Sequence, residues 1–250
     1  MQTFNEYFTL IESAKSDKFE KDLAKHISKT PGMEAERPSV GTGFSDIRLT
    51  RNNGASTWLE VKMNHSDQLS NPRVFYNGTT WQTTYTTRAA QEAVTRMNKS
   101  KMTKAFIKGL ADYSGIKKPF IATNKGQLKK EKNVISLKTM KEYVSQPGFN
   151  RYVLSDPDVD LGGIVTDHYI NGKTEPAFYM QAGDDFYMIG RANPLGVPSD
   201  VPLLAGKGSF KMRVGTRSEY YEVQGEIKIH AMKTSKYSLL PGTKKKNPFK

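Results

Sequence analysis

Two carboxylates and one ammonium group are spaced in this sequence so that they can meet on a small sheet. Asp46 lies in segment 44–50, and Glu60 and Lys62 lie in segment 57–63; both segments alternate apolar and polar residues. A run of turn formers, Arg-Asn-Asn-Gly, connects them, so the two segments are predicted to form a β-hairpin. Two acids that share a divalent cation beside an amine are suited to metal-assisted cleavage of phosphodiester bonds.

The length of the connecting loop decides whether the acids share a face, because side chains on a strand alternate between the two faces of a sheet. A two-residue turn would pair Asp46 with Val61 and leave Glu60 on the opposite face. A three-residue loop with Gly54 in the left-handed conformation pairs Asp46 with Glu60 and places Lys62 on the same face. We predict the second register, in which the Cβ atoms of opposed residues are about 5 Å apart.

A third acid, Glu20, falls within the apolar stripe of a helix predicted for residues 4–29. The sequence is also compatible with two helical pieces separated near residues 13–17. At about 100° per residue, Glu20 lies only about 20° from Ile27 around the helix axis. A carboxylate in a buried stripe is costly unless a cation or a donor meets it, and a metal site would provide that partner. The alternative is a capping box with Asp17, in which Glu20 reaches back to the start of the helix.

The sequence resembles the PD-(D/E)XK nuclease superfamily at these residues: Glu20 on a first helix, the segment 43–47 around the first acid, and the segment 59–62. Ser45 stands where the family pattern has proline. The resemblance covers about residues 1–145. It implies a restriction-endonuclease-like core, built from a helix, three strands, a helix and a strand.

The resemblance also implies roles for individual residues. Asp46 and Glu60 would bind Mg²⁺, for which Mn²⁺ would substitute, with the carbonyl of Val61 and with Glu20 as further ligands. Lys62 would orient the attacking water or help to deprotonate it. The implied activity is that of a Mg²⁺-dependent deoxyribonuclease whose products carry 5′-phosphate and 3′-hydroxyl ends.

Five further residues are candidates for contact with the substrate. Three of them come from the polar stretch that follows the hairpin, where residues 64–85 are predicted to form a loop. The other two lie on a helix predicted for residues 87–108, which would present positive charge to a phosphate backbone. These residues are His65, Gln68, Arg73, Arg88 and Arg96.

The overall composition favours a polyanionic partner. The chain of 250 residues has 38 Lys and Arg against 25 Asp and Glu, a net charge of +13, so DNA is the predicted partner. The absence of cysteine excludes disulfides, thiolate zinc sites and cysteine nucleophiles. No apolar run approaches the roughly 18 residues needed to cross a bilayer, so no membrane partner is expected. A cytoplasmic location is expected, and such a nuclease would suit a phage or another mobile element.

The sequence as a whole predicts a mixed α/β (α+β) protein, with a central mixed sheet flanked by helices and a β-rich C-terminal region. The predicted divisions are a nuclease-like core at 1–147, a β-rich region for specificity, dimerisation or core extension at 148–240, and a mobile basic tail at 241–250. Strands in the second region are predicted at 151–154, 164–170, 177–181, 186–189, 208–214 and 219–232. A homodimer is expected if the enzyme makes paired cuts in a duplex.

Three functions are compatible with these patterns. The first is a metal-dependent DNA endonuclease acting on duplex or branched DNA. The second is a noncatalytic nucleic-acid-binding protein on the same core, in which Asp46, Glu60 and Lys62 form only cross-strand charge pairs. The third is an interaction protein whose basic surface meets an acidic protein partner.

Overall fold

The computed structural model describes residues 4–38, 44–65, 68–122, 132–147, 149, 152–204, 207–229 and 234–250. The chain forms two compact units, and each is built from separate stretches of sequence. The first unit comprises Met1–Asp67, Gly162–Gly206 and Ala231–Lys250. The second unit comprises Gln68–Leu161 and Lys207–His230.

The helices, in chain order, are α1 (Phe4–Ile27), α2 (Arg88–Lys99), α3 (Lys101–Ser114), α4 (Leu137–Val144) and α5 (Gly162–Thr166), which continues into a π-helical turn (Asp167–Asn171). The strands are β1 (Met33–Glu36), β2 (Ile47–Arg51), β3 (Ser56–Lys62), β4 (Gln68–Ser70), β5 (Arg73–Tyr76), β6 (Trp81–Gln82), β7 (Tyr152–Asp160), β8 (Ala177–Ala182), β9 (Asp185–Met188), β10 (Lys207–Thr216) and β11 (Tyr221–Ile229). The chain is therefore a mixed α/β protein with two sheets, as predicted at that level. No helix in the described parts of the chain is both long and apolar enough to span a membrane.

The first unit contains a five-stranded mixed sheet in the order β1-β2-β3-β8-β9. β3 and β8 are parallel, whereas the other neighbours are antiparallel. Helix α1 packs beside β1 and contributes Leu23 and Ile27 to a core shared with Leu49, Leu59 and Tyr179. The sheet therefore holds the β2–β3 hairpin between a helix-covered edge and a strand from much later in the chain.

The β2–β3 hairpin has the predicted register. Ile47 faces Leu59 and each later pair follows in step, while the N–H of Arg51 donates to the carbonyl of Ala55 at 2.8 Å. Three residues thus form the loop, and Gly54 has a φ of +82°. A left-handed residue in this position lets the strands keep their right-handed twist, which is why the sequence favours glycine here.

The second unit contains an antiparallel sheet in the order β6-β5-β11-β10-β7, with β4 also paired to β11. Its centre is the long β10–β11 hairpin, in which Gly208 faces Ile229 and Thr216 faces Tyr221. Helix α2 packs on β11, and a Cβ atom at Gly225 would lie 3.0 Å from the Cβ of Ala93. A glycine at this point allows the helix to approach the sheet closely.

Several predicted elements are wrong. Residues 164–170 form α5 and the π-helical turn rather than a strand, because a short apolar run fits a buried helix as well as a strand. The predicted helix 87–108 is two helices. Ser100 has an extended backbone between them and its hydroxyl accepts from the N–H groups of Met102 and Thr103, so it caps α3. The stretch 64–85 contains three short strands instead of a loop.

The predicted division at residue 147 falls inside the second unit, and both units contain chain from either side of it. The first sheet is completed by β8 and β9, which lie beyond the stretch in which the resemblance placed the core. The pairing of β3 with β8 is parallel, and parallel strands need a long connection. The strand beside β3 therefore comes from a distant part of the chain.

The tail at 241–250 was predicted to be mobile, and this is wrong. Phe249 is 6% exposed and its ring lies 5.8 Å from that of Phe186, centroid to centroid. The amide of Asn247 donates to the hydroxyl of Thr30 at 2.9 Å. The apolar side chain of Phe249 thus anchors a segment whose lysines had suggested a solvated tail.

Replacing Gly54 with alanine should destabilise the first unit by about 1–2 kcal/mol, because a Cβ atom disfavours the left-handed conformation. Nothing lies within 4 Å of the added Cβ, so the cost arises from the backbone and not from a clash. Gly54→Asn is the matched control and should cost less, since asparagine tolerates this conformation. Denaturant unfolding measures both, and equal stability of the alanine and wild-type proteins would contradict the loop geometry.

Candidate active site

Asp46 lies at the open end of the hairpin, one residue before β2, and its carboxyl group is close to that of Glu60 on β3. The N–H of Asp46 donates to the carbonyl of Leu59 at 3.2 Å, the same residue that faces Ile47, so the regular register ends at Ile47. One carboxylate oxygen of Asp46 accepts the N–H of Val61 at 2.7 Å. The charge of Glu60 acts on the carboxyl group of Asp46, so the two acids are neighbours, although Asp46 lies outside the ladder in which it was predicted to face Glu60.

Glu60 is buried, with 5% of its surface exposed, and is flanked by two lysines. Its Oε1 lies 2.5 Å from the Nζ of Lys62, and its Oε2 lies 3.9 Å from the Nζ of Lys173. Oε2 has no hydrogen-bond partner among the described residues. Because a buried carboxylate oxygen normally accepts hydrogen bonds, this atom has unused capacity for a further ligand.

The pKa values of the two acids are shifted in opposite directions. Burial, reinforced by the charge of Glu60, raises the pKa of Asp46 to about 7, although Lys62 and the N–H of Val61 act against the rise. Burial also opposes the ionisation of Glu60, but the charges of Lys62 and Lys173 outweigh it and hold the pKa of Glu60 below its usual value. Opposite shifts in an acid pair mark candidate functional sites.

Lys62 stays charged in this setting. Burial alone would lower the pKa of its ammonium, but the adjoining charge of Glu60 raises that pKa well above the ordinary value. In the ion-paired geometry Lys62 is therefore a hydrogen-bond donor and a fixed positive charge, not a base.

The sequence analysis missed three residues beside Glu60, all from the segment that follows α5. Lys173 donates to the carbonyl of Phe44 at 3.0 Å, and the ammonium groups of Lys173 and Lys62 lie 5.8 and 5.9 Å from the ring centroid of the buried Tyr169. Burial lowers the pKa of His168 to about 4, so this imidazole is neutral at physiological pH. His168 and Tyr169 fall within the predicted strand 164–170, but they lie on the π-helical turn, a feature common at functional sites, and Lys173 follows that turn.

Glu20 is buried but already has partners. Its carboxylate accepts from the Nε of Arg37 at 2.7 Å and from the hydroxyl of Ser16 at 2.8 Å. The capping alternative and the predicted break near residues 13–17 are wrong, because α1 continues without interruption through Asp17, whose carboxylate also pairs with Arg37. The charge of Glu20 contributes to the raised pKa of Asp46, so Glu20 borders the acid pair.

The donor set suits a hard divalent cation such as Mg²⁺, which binds carboxylate oxygens. Asp46 and Glu60 fit this requirement best, because they are neighbours and Glu60 has an oxygen without a hydrogen-bond partner among the described residues. Glu20 would have to exchange its bond to Arg37 for the ion. The side chain of Val61 packs in the core, and its carbonyl remains a predicted ligand.

His65 belongs to a different cluster of the first unit. Its Nε2 lies 3.0 Å from a carboxylate oxygen of Asp185, and ligand atoms of His65, Asp184 and Asp185 lie within 4.8 Å of one another, a spacing that could hold a metal ion. However, Lys245 pairs with Asp184 at 2.9 Å and with Asp185 at 2.6 Å, and the N–H of Ser235 also donates to Asp185. A cation of the chain itself thus neutralises this cluster.

The other predicted substrate residues belong to the second unit. Gln68 pairs with Lys228 in the β4–β11 ladder, and Arg88 is the first residue of α2. The guanidinium of Arg73 binds Glu222 at 3.1 Å, and that of Arg96 binds Glu92 at 2.9 Å and Asp156 at 3.1 Å. Arg73 and Arg96 are thus engaged in ion pairs, and their contact with a substrate remains a prediction.

The pKa of Asp46 makes stability depend on pH in metal-free protein. A carboxyl with a higher pKa in the folded chain binds its proton more tightly there, so the free energy of unfolding should fall as the pH rises from about 4 to about 7. The Asp46→Asn protein does not lose stability in this way as the pH rises. Near pH 8 its free energy of unfolding should exceed that of the wild type by an amount on the order of 2–4 kcal/mol.

Denaturant unfolding in EDTA at several pH values measures the difference. The two proteins should converge in stability as the pH falls to about 4 and below, where Asp46 becomes protonated in the unfolded chain as well as in the folded one. Glu34→Gln on the exposed face of β1 is the matched control and should show no such pH-dependent gain. A constant difference between wild type and Asp46→Asn across the range would contradict the raised pKa.

Comparison of the chain with protein-family models, with curated proteins and with solved structures finds no match. The resemblance to the PD-(D/E)XK superfamily therefore rests on the sequence motif, and the chain's own geometry must support any function. That geometry is a pair of neighbouring acids with an ammonium group beside them.

Proposed function

We propose that this protein is a metal-dependent endonuclease that hydrolyses phosphodiester bonds of DNA. The observation that carries the proposal is the proximity of the carboxyl groups of Asp46 and Glu60 at the end of the hairpin, with Lys62 bound to Glu60 beside them. The raised pKa of Asp46 supports it, because two acids that repel each other's ionisation gain from a shared cation.

In this proposal Asp46 and Glu60 hold Mg²⁺ or Mn²⁺, with Glu20 and the carbonyl of Val61 as additional ligands. The bound ion would supply positive charge to the scissile phosphate and lower the pKa of a water molecule. Lys62 remains an ammonium group, so it donates a hydrogen bond to the attacking water or to a phosphate oxygen that gains charge in the transition state. Lys173, on the other side of Glu60, keeps that carboxylate ionised.

The choice of DNA as substrate follows from charge. The net charge of +13 draws the chain toward polyanions. Duplex or branched DNA is the proposed substrate, and a homodimer would allow paired cuts in the two strands.

Asp46→Asn should reduce cleavage to the background level while DNA binding survives or tightens, because the loss of a carboxylate weakens cation binding and lessens repulsion of phosphate. Cleavage of supercoiled plasmid with Mg²⁺, with Mn²⁺ and with EDTA gives the activity, and a gel shift in EDTA gives the binding. Linear, single-stranded and four-way-junction DNA tested in parallel define the preferred substrate.

Glu34→Gln provides the matched control, since it removes an exposed carboxylate from the same sheet and should cleave like the wild type. Mg²⁺ should also raise the melting temperature of the wild type near pH 8, and this effect should be smaller in Asp46→Asn. The proposal is contradicted if cleavage persists in EDTA, or if Asp46→Asn cleaves DNA as well as Glu34→Gln does.

One observation favours the noncatalytic alternative. Lys62 already binds Glu60 at 2.5 Å and the N–H of Val61 already binds Asp46, so the acid pair has partners of its own. A protein that shifts DNA in a salt-dependent manner but never cleaves it, with Asp46→Asn behaving like the wild type, would support this alternative.

A further inference from the structure

The second unit contains a cavity of about 710 Å³ that the acid pair does not explain. Its volume lies in the range of small-molecule sites. Much of the lining is apolar or aromatic, and the contributing residues are Tyr76, Trp81, Met97, Ile107, Ala111 and Pro119. The rings of Tyr76 and Trp81 lie 5.3 Å apart, centroid to centroid, and form an aromatic part of the wall.

Four lysines line the same cavity, and all four are exposed. Lys104 and Lys108 lie one turn apart on α3, so they share a face of that helix. Lys117 and Lys118 follow Gly115, whose left-handed backbone (φ +71°) ends the helix and reverses the chain. No described carboxylate pairs with any of the four within ion-pair distance, so their charge is available to a ligand.

The walls are held in place by internal hydrogen bonds. The side chain of Asn98 bonds both the N–H and the carbonyl of Trp81, at 2.8 and 3.1 Å. The β5–β6 turn is fixed by the carboxamide oxygen of Asn77, which accepts from the N–H groups of Thr79 and Thr80 at 3.0 and 2.9 Å. The cavity is thus preformed, which lowers the cost of ordering it around a ligand.

We propose that this cavity binds a nucleotide, with the base against the aromatic and apolar wall and the phosphate beside the lysines. An uncharged apolar ligand would leave four ammonium groups unmatched, and a small inorganic anion would leave the apolar wall unused. A nucleotide satisfies both, because every base has a face that packs on aromatic rings and every phosphate carries negative charge. The ligand comes either from solution as a free nucleotide or from an unpaired position in a nucleic-acid strand.

Trp81 lies in the wall, so its fluorescence reports on the cavity. The sequence contains two tryptophans, and the other, Trp58, lies on β3 beside the acid pair, so the titrations use a Trp58→Phe variant in which Trp81 is the single tryptophan. Titration of the full chain in EDTA with a nucleoside monophosphate, with a short single-stranded oligodeoxynucleotide and with inorganic phosphate separates the sources. A free nucleotide that saturates the change indicates the first source, and binding of the oligonucleotide alone indicates the second.

Lys104→Glu with Lys108→Glu should weaken binding at least about tenfold, because two attractive charges become repulsive. Lys101→Glu, an exposed position on the same helix outside the cavity lining, is the matched control and should leave the affinity near that of the wild type. Asp112→Asn removes an acid from the lining and should tighten binding.

Three results would overturn the nucleotide site. They are no fluorescence change with either nucleotide probe, equal losses in the paired variant and in Lys101→Glu, or binding of inorganic phosphate as tight as that of the nucleotide. The readout does not involve cleavage. The outcome is therefore independent of whether Asp46 supports catalysis.

Discussion

Every property of the acid pair depends on which residues of β2 and β3 face each other. One residue fewer in the loop would turn Glu60 to the opposite face and separate it from Asp46, because side chains alternate along a strand. The left-handed Gly54 and the bond between Arg51 and Ala55 fix the longer loop. The chemistry at one end of the hairpin is thus specified by the backbone conformation at the other end.

A second constraint is that three buried acids among the described residues of the first unit each have a cationic partner, whereas the half-buried Asp46 has none in an ion pair. Glu20 binds Arg37, Glu60 binds Lys62, and Asp185 binds Lys245. These pairs offset the desolvation of charged groups. Asp46 instead accepts a backbone N–H, and its pKa is raised by burial and by the charge of Glu60, which the charge of Lys62 only partly offsets. It is the acid of the group for which an added cation would make the largest difference.

The parts of this arrangement that could be predicted from sequence are those encoded locally. Alternation in two short segments and a glycine between them were sufficient for the hairpin and its register, and the helical period was sufficient to place Glu20 in the buried stripe of α1. The neighbours of Glu60 could not be predicted from such local patterns. Lys173 reaches the site because β8 adds to β3 in parallel, and nothing in the sequence near residue 60 indicates that pairing. Arg37 was overlooked for a related reason, since only the packing of α1 beside β1 brings it to Glu20.

The parallel partner of β3 also bears on how the protein is made. β3 ends at residue 62, whereas β8 begins at residue 177 and the anchoring Phe249 comes later still. During synthesis on the ribosome, the β2–β3 hairpin therefore emerges long before the strand that covers its edge, and an uncovered edge is open to pairing with other chains. The charged groups at the end of the hairpin would make it soluble during that interval, so the residues proposed for catalysis would also protect the nascent chain from aggregation.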